Sequence, residues 1–265
     1  MLAEERWQRI LQLLVAKSVL SVPELSRVLS ASEVTVRRDL SELEQQGKLR
    51  RTHGGAIRLD AVGAAKEARL SQYASENVAL KEAIGLCAAS LIDDHRAIIL
   101  DASTTAAHLC RIIPSLPLTR LTVVTNSLRA AQELAGCGFV ELVMIGGQIR
   151  KDFLSSYGHL ADMTLSGLRA DRAFIGMNGI DLLGDAMTTP SLAESAVKQA
   201  MMRCAGETVV LADHTKFGRQ FLSRVCGVTD VGMIVTDGGV DPALLSQAAE
   251  RGVAVLTPET ELNNH

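Results

Sequence analysis

The sequence has few cysteines, and they form no pattern that would bind a metal or build a disulfide framework. The five cysteines of the 265-residue chain are widely spaced, odd in number and without a C-x-x-C pair. Isolated cysteines of this kind are typical of reduced thiols in a cytoplasm. We therefore expect no disulfides, no metal site and no other cofactor.

Long apolar runs are also missing. No stretch approaches the roughly 20 apolar residues that a membrane-spanning helix needs. The first residues, from Met1 to Arg6, lack the basic segment and following apolar run of a signal peptide. We expect a soluble, cytoplasmic protein with no membrane partner.

Aromatic residues make up only 3% of the chain against 47% hydrophobic residues, so aliphatic side chains must build the interior. The length allows two domains, one small and one with a sizeable core. The net charge of −3 is unevenly distributed, because residues 1–60 carry a balance of +2 and the remainder −5. From Lys48 to Arg58 there are four basic residues and no acid, which predicts contact with a polyanion at this end only.

The first 60 residues show the periodicity of three helices. Glu4 to Lys17 reads as an amphipathic helix whose apolar positions are Trp7, Ile10, Leu11 and Leu14. A second short helix follows Ser21, with Leu25, Val28 and Leu29 expected on its buried face. Ser32 is placed to cap a third helix, in which Val36, Leu40 and Leu43 form the buried stripe.

The polar face of the third helix carries Thr35, Arg37, Arg38 and Glu42. A short helix with an apolar back and an arginine pair on its front, after a three-residue turn, is typical of the recognition helix of a helix-turn-helix. Gly47 is expected to end this helix, and residues 48–55 then read as a small basic wing. The competing interpretation is a surface helix whose arginines pair with Asp39 or Glu42.

The stretch SEVTVRRDLSELEQQGKLRRTHGGA resembles the winged-helix signature of the DeoR family of bacterial repressors. The resemblance implies a DNA-binding domain at residues 3–58, with the helix-turn-helix at 20–40 and the wing at 48–57. Its expected contacts with double-stranded operator DNA are Ser32, Thr35, Arg37, Arg38, Lys48, Arg51, His53, Gly54 and Gly55. We place a linker at 59–74.

From residue 97 the sequence changes to short apolar runs that alternate with helical segments. The seven runs are 97–100, 121–124, 142–145, 173–175, 209–211, 233–235 and 253–256. Continuous apolar runs of this length predict strands of a mostly parallel sheet with both faces covered, and hence an α/β domain. A helix is expected ahead of them, over residues 67–91.

Ligands of open α/β sheets bind beyond the carboxyl ends of the strands. Here those ends carry small residues, hydroxyls and a lysine, in the segments 101–105, 125–127, 146–147 and 213–218. Ser103, Thr104 and Thr105 open a helix, whose free N–H groups favour an anion such as phosphate.

The same segments resemble the effector domain of the DeoR family, which is similar in fold to ribose-5-phosphate isomerases and CoA transferases and senses phosphorylated sugars or related metabolites. The resemblance implies an effector-sensing and oligomerisation domain at residues 75–257. Its implied effector-binding residues are Lys81, Asp101, Ser103, Thr104, Thr105, Thr125, Asn126, Ser127, Gly146, Gly147, Asp213 and Lys216. Two departures from the family pattern, Ser103 for glycine and Thr215 for serine, leave the identity of the effector open.

We therefore predict a transcriptional regulator, a repressor of a sugar or sugar-acid catabolic operon, that acts as a homodimer or homotetramer. A phosphorylated sugar or sugar acid would release it from DNA. One alternative is an isomerase-like enzyme with a DNA-binding appendage, although Glu194 and Lys198, four apart on a helix, are more typical of a surface ion pair. A second alternative is an architectural DNA-binding protein whose large domain only dimerises.

Overall fold

The computed structural model describes residues 3–17, 19–52, 54–58 and 76–259, and it divides the chain into two compact units, Met1–Gln72 and Tyr73–His265. The predicted linker and His53 lie outside the described residues. Residues 67–75 of the predicted helix 67–91 also lie outside them. In the part of the chain that is described, no helix is both long enough and apolar enough to cross a membrane.

The described part of the N-terminal unit contains three helices and a small antiparallel sheet in the order β1-β3-β2. The helices are α1 (Ala3–Ala16), α2 (Val22–Leu29) and α3 (Glu33–Gln45), and the strands are β1 (Val19–Ser21), β2 (Leu49–Thr52) and β3 (Gly55–Arg58). The predicted stripes of α1 and α3 are confirmed, since Ile10, Leu14, Val36, Leu40 and Leu43 are all buried in one core.

The prediction for Val28 is wrong, because 55% of this residue is exposed. The buried stripe of α2 consists instead of Val22, Leu25 and Leu29. At about 100° per residue, Val28 lies roughly 60° beyond the edge of that stripe and faces away from the core.

Both predicted ends of α3 are confirmed. Ser32 caps the helix, because its Oγ accepts a hydrogen bond from the backbone N–H of Thr35 at 3.2 Å. Gly47, with a φ of +65°, turns the chain into the wing. Few residues other than glycine adopt that left-handed conformation without strain.

The C-terminal unit is built on a seven-stranded sheet in the order β15-β14-β12-β9-β4-β5-β6, and each neighbouring pair is parallel. The strands of this sheet are β4 (Arg96–Leu100), β5 (Leu121–Thr125), β6 (Val140–Met144), β9 (Ala170–Gly176), β12 (Ala205–Leu211), β14 (Met233–Val235) and β15 (Ala254–Leu256). Each of the seven predicted apolar runs falls on one of these strands, so the predicted sheet is confirmed.

Helices cover both faces of the sheet and form two buried clusters with it. The helices are α4 (Val78–Ala89), α5 (Thr104–Ile112), α6 (Leu128–Leu134), α7 (His159–Ser166), α8 (Leu192–Cys204) and α9 (Pro242–Glu250). The cluster that includes Leu109 and Phe174 contains side chains of α4, α5 and α6, whereas the cluster that includes Met201 contains those of α7, α8 and α9.

Two smaller sheets were not predicted. One is the hairpin of β7 (Gln148–Arg150) and β8 (Ser155–Tyr157), and the other is an antiparallel sheet of β10 (Gly179–Asp181), β11 (Ala186–Thr189) and β13 (Ser223–Cys226). These strands are only three or four residues long and are rich in polar side chains, so they lack the apolar runs that reveal buried strands.

Candidate functional site

The N-terminal unit presents the start and the polar face of α3 to solvent. The hydroxyls of Ser32 and Thr35 lie 2.8 Å apart at the helix start, where they occupy the first turn. Arg37 is exposed and pairs with Glu33 at 2.9 Å, one turn earlier in the same helix. Arg38 is exposed and, within the residues described, makes no hydrogen bond or ion pair.

These contacts contradict the interpretation in which the arginines pair with Asp39 or Glu42. Asp39 points in the opposite direction, into the unit, where it is 5% exposed. Its Oδ2 accepts from Arg6 Nε at 2.8 Å, and its Oδ1 accepts from Arg6 Nη2 at 3.0 Å and from the indole N–H of Trp7 at 2.8 Å. Asp39 therefore ties α3 to α1 and leaves Arg38 available to a ligand.

The wing is attached to α3 through Arg51. The backbone N–H of Arg51 donates to Glu44 at 2.8 Å, and its guanidinium donates to the Ser41 hydroxyl at 2.6 Å. Lys48 is exposed at the start of the wing. These two hydrogen bonds place Arg51 beside α3.

The two glycines of the wing, Gly54 and Gly55, differ in whether a side chain would fit at their positions. Around Gly54 there is open space, whereas a Cβ at Gly55 would lie 2.1 Å from the carbonyl oxygen of Leu20. Gly55 is therefore required for the close pairing of β3 with β1. Gly54 accepts a backbone hydrogen bond from Val22 at 2.8 Å, which ties the wing to the start of α2.

In the C-terminal unit, Asp101 is buried at the carboxyl end of β4 and holds three groups together. Its Oδ1 accepts from the backbone N–H of Ser103 at 3.0 Å, and its Oδ2 accepts from the backbone N–H of Gly176 at 3.1 Å and from Lys198 Nζ. Both carboxylate oxygens are engaged within the protein, so Asp101 supports the loop before α5.

The helix that follows, α5, has two backbone N–H groups in its first turn that its cap does not use. Ser103 caps α5 by accepting from Ala106 at 3.1 Å. Among the described residues, the backbone N–H groups of Thr104 and Thr105 have no acceptor. Free N–H groups at the positive end of a helix dipole are a favourable place for an anion.

The segment after β5 has one polar atom without a partner. Thr125 Oγ1 donates to Leu100 O at 2.7 Å, and Ser127 caps α6 by accepting from Ala130 at 3.2 Å, so both hydroxyls stabilise the fold. Asn126 donates from Nδ2 to Ser156 O at 2.9 Å, but its Oδ1 is buried and accepts no hydrogen bond from any residue that the structure describes. That oxygen is an unused hydrogen-bond acceptor.

Gly147 lies where the β7–β8 hairpin meets the main sheet. It has a φ of +143°, and a Cβ there would lie 2.5 Å from Tyr157 O, so only glycine fits. Gly146 borders open space. The pair therefore positions the hairpin rather than offering side-chain contacts.

A second charged group lies at the carboxyl end of β12. Asp213 is fully buried, and its Oδ2 lies 3.6 Å from Lys216 Nζ. Burial opposes the charged form of Asp213, but hydrogen bonds from Thr215 and the charge of Lys216 outweigh it and hold the pKa of this carboxyl below its ordinary value.

Lys81 belongs to the same group. It is 3% exposed, and its Nζ donates to Glu76 O at 2.6 Å. Burial and the neighbouring charge of Lys216 lower the pKa of Lys81, although Asp213 opposes the shift. Lys81 and Lys216 therefore lie near Asp213, and the charge of Glu76 also acts on Lys81.

A small, partly open pocket adjoins Asp101 and includes residues of a hairpin that the sequence patterns did not reveal. It is lined by Asp101, Ala102, Asn126, Arg150, Phe153, Ser155, Ser156, Tyr157, Ala193, Glu194, Val197 and Lys198. Of the predicted effector residues, this pocket contains Asp101 and Asn126. Arg150, Phe153 and Tyr157 reach it from the hairpin, which sequence patterns did not reveal.

The interpretation of Glu194 and Lys198 as a surface ion pair is wrong. Lys198 is 3% exposed and contacts both Asp101 and Glu194, the latter at 3.4 Å. A signal was available in the sequence, because Glu194, Val197, Lys198 and Met201 recur at the spacing of a buried helical face.

Two sequence families match this chain. The DeoR-like helix-turn-helix domain matches residues 6–62, and the DeoR C terminal sensor domain matches residues 76–238. The chain is 34% identical to the HTH-type transcriptional regulator YulB of Bacillus subtilis (strain 168), over 96% of each protein. It is 32% identical to the HTH-type transcriptional repressor GlcR of the same organism, over 98% of each.

Among solved structures, ribose 5-phosphate isomerase A of Methanocaldococcus jannaschii is similar with a TM-score of 0.40 and 20% identity, over 54% of this chain and 55% of that one.

Proposed function

Because this chain belongs to the DeoR family of transcriptional regulators, we propose that it represses a sugar or sugar-acid catabolic operon. A phosphorylated sugar-type metabolite releases it from the operator. The relatives are regulators, so the enzyme interpretation has no support from them, and the sensor family that matches residues 76–238 argues against a purely architectural role.

One observation carries the proposal for the effector. Among the described residues, the carboxyl edge of the sheet has backbone N–H groups without an acceptor at Thr104 and Thr105, and it has two lysines, Lys81 and Lys216, near Asp213. A phosphate dianion needs hydrogen-bond donors and cations to replace its hydration, and N–H groups and lysines are donors of this kind. Hydroxyl groups of the same ligand would donate hydrogen bonds to acceptor oxygens at this edge, such as Asn126 Oδ1.

The proposed switch is a shift between two populations. An effector changes DNA binding only through its different affinity for the DNA-competent and the released arrangement. The effector residues therefore set how strongly DNA is released, whereas the wing and α3 set how strongly it is bound. We further propose that residues 59–74 link the domains and that the protein works as a homodimer or homotetramer on paired half-sites.

The first prediction concerns Lys216. Lys216→Ala is expected to bind the operator normally and to need on the order of 100-fold more effector for release, because the variant loses differential affinity. The measurement is operator binding by fluorescence anisotropy during titration with a panel of sugar phosphates. Arg203→Ala, an exposed cation at the far end of α8, is the control.

Release of Lys216→Ala at the wild-type effector concentration would contradict this assignment. If no phosphorylated sugar or sugar acid releases the wild-type protein, the proposed effector class itself is wrong.

The second prediction concerns DNA contacts. Arg38→Ala is expected to weaken operator binding by about 1–3 kcal/mol and to relax sequence preference, as for a guanidinium that reads a base edge. Arg51→Ala is expected to weaken specific and non-specific binding alike and to reduce the salt dependence by about one unit, as for a phosphate contact. Arg9→Ala on α1 is the control, since Arg9 is exposed and bonds only to Gln12 at 3.2 Å among the described residues. If both Arg38→Ala and Arg51→Ala bind the operator with unchanged affinity, α3 and the wing do not contact DNA as proposed.

A further inference from the structure

The pocket beside Asp101 contains four charged side chains whose charges cancel. Asp101 and Glu194 are acids, and Arg150 and Lys198 are bases. Lys198 Nζ contacts Asp101, Gly176 O at 2.9 Å and Glu194 at 3.4 Å. An ammonium group has three donors, so these contacts leave none for a ligand.

Glu194 is held in its charged form. Burial opposes this, but Lys198 and Arg150 outweigh it and hold the pKa of Glu194 below its ordinary value. Arg150 Nη1 donates to Glu194 at 2.7 Å, and the Arg150 guanidinium lies 4.0 Å from the centre of the Phe153 ring. The carboxylate of Glu194 is therefore a fixed negative charge on the wall of the pocket.

Like the Glu194 carboxylate, the side-chain oxygen of Asn126 in this pocket is a hydrogen-bond acceptor. Asn126 is 3% exposed, and its Oδ1 has no hydrogen-bond partner in the described part of the chain. A ligand hydroxyl would satisfy it, whereas a carboxylate oxygen has no proton to donate. A ligand carboxylate would have to bind Arg150 in competition with Glu194 and would give the pocket a net negative charge at low dielectric.

We propose that Glu194, together with Asn126, determines effector specificity by excluding a second acidic group from the pocket, so that the end of the effector distant from its phosphate is uncharged and bears hydroxyls. This inference rests on the proposed function, in which a phosphorylated ligand binds at this edge of the sheet. Within that function it favours a sugar phosphate over the phosphorylated sugar acid of the same length.

The test uses matched ligand pairs with the full-length protein. Erythrose 4-phosphate, ribose 5-phosphate and glucose 6-phosphate are each compared with the corresponding phosphorylated aldonic acid by isothermal titration calorimetry. In the pair that binds most tightly, the wild-type protein is expected to prefer the sugar phosphate by about tenfold or more.

Two variants shift the charge of the pocket in opposite directions. Glu194→Gln gives a net positive pocket and is expected to reduce that preference about tenfold, whereas Arg150→Gln gives a net negative pocket and is expected to increase it. The control is Glu141→Gln, which removes the same charge from the exposed pair with Arg120 and is expected to leave the preference unchanged. Arg150 is 25% exposed in its side chain, so its replacement keeps the test available if Glu194→Gln does not fold.

The outcomes separate this inference from the function on which it rests. If the aldonic acids bind as tightly as the sugar phosphates, or if neither variant changes the ratio, the role of Glu194 is overturned while a phosphate-sensing regulator remains. If no compound of either series binds, the phosphorylated effector and the specificity role are both rejected.

Discussion

Replacing Lys198 with methionine is expected to lower the free energy of unfolding of the C-terminal unit by about 3–5 kcal/mol. The ammonium group is buried between Asp101 and Glu194 and donates to Gly176 O. Methionine matches the length of the side chain but leaves the buried Asp101 and the half-buried Glu194 with one cation, Arg150. Burial disfavours the charged form of Lys198, yet the acids outweigh this and raise the pKa of Lys198 above its ordinary value.

Calorimetric unfolding of the full-length chain measures this loss. Arg203→Met on the same helix is the matched control, because Arg203 is exposed, and it is expected to change stability by less than about 0.5 kcal/mol. Adding Asp101→Asn to Lys198→Met should recover part of the loss, since it removes one uncompensated charge. A loss below about 1 kcal/mol in Lys198→Met would show that solvent reaches this group and that the pair is not a buried one.

The second large effect is expected in the N-terminal unit. Asp39→Ala should destabilise this unit by about 3 kcal/mol, because it leaves the guanidinium of Arg6 and the indole N–H of Trp7 without their acceptor in a partly buried site. Operator binding should fall with it, since Asp39 ties α3 to α1 and thereby sets the position of the recognition helix.

Trp7 makes this prediction directly measurable. It is the only tryptophan of the chain, so its fluorescence during urea unfolding reports the N-terminal unit. Glu42→Ala, an exposed acid of the same helix, is the control and should shift the midpoint very little. If the midpoint of Asp39→Ala equals that of Glu42→Ala, the contacts of Asp39 with α1 do not stabilise the unit.

Much of the fold could be predicted because its signals are local. The seven strands of the parallel sheet are covered on both faces, and each therefore stands out as a continuous apolar run. The caps and stripes of α1 and α3 follow from residues within a few positions of each other. The exposed Val28 shows the limit of this reasoning, because in a helix of two turns a single residue decides where the stripe lies.

The candidate effector site was predicted less completely. Strand ends identified Asp101 and Asn126, because parallel strands bring their carboxyl ends to one edge. Arg150 was missed, since it comes from a hairpin of three-residue strands without a periodic pattern. The predicted roles of Thr125 and Ser127 also remain untested, although both hydroxyls already bond within the protein.

The sequence by itself determined the family, the recognition helix with its arginine pair, and the order of strands and helices along the chain, because each of these depends on neighbouring residues. Only the tertiary structure decided which charges are buried together. Lys198 meets Asp101 from a position 97 residues away, and Arg6 meets Asp39 across 33 residues. A lysine or an aspartate has the same local pattern whether it faces water or a buried partner, and the free energy of burying it depends on that distant partner.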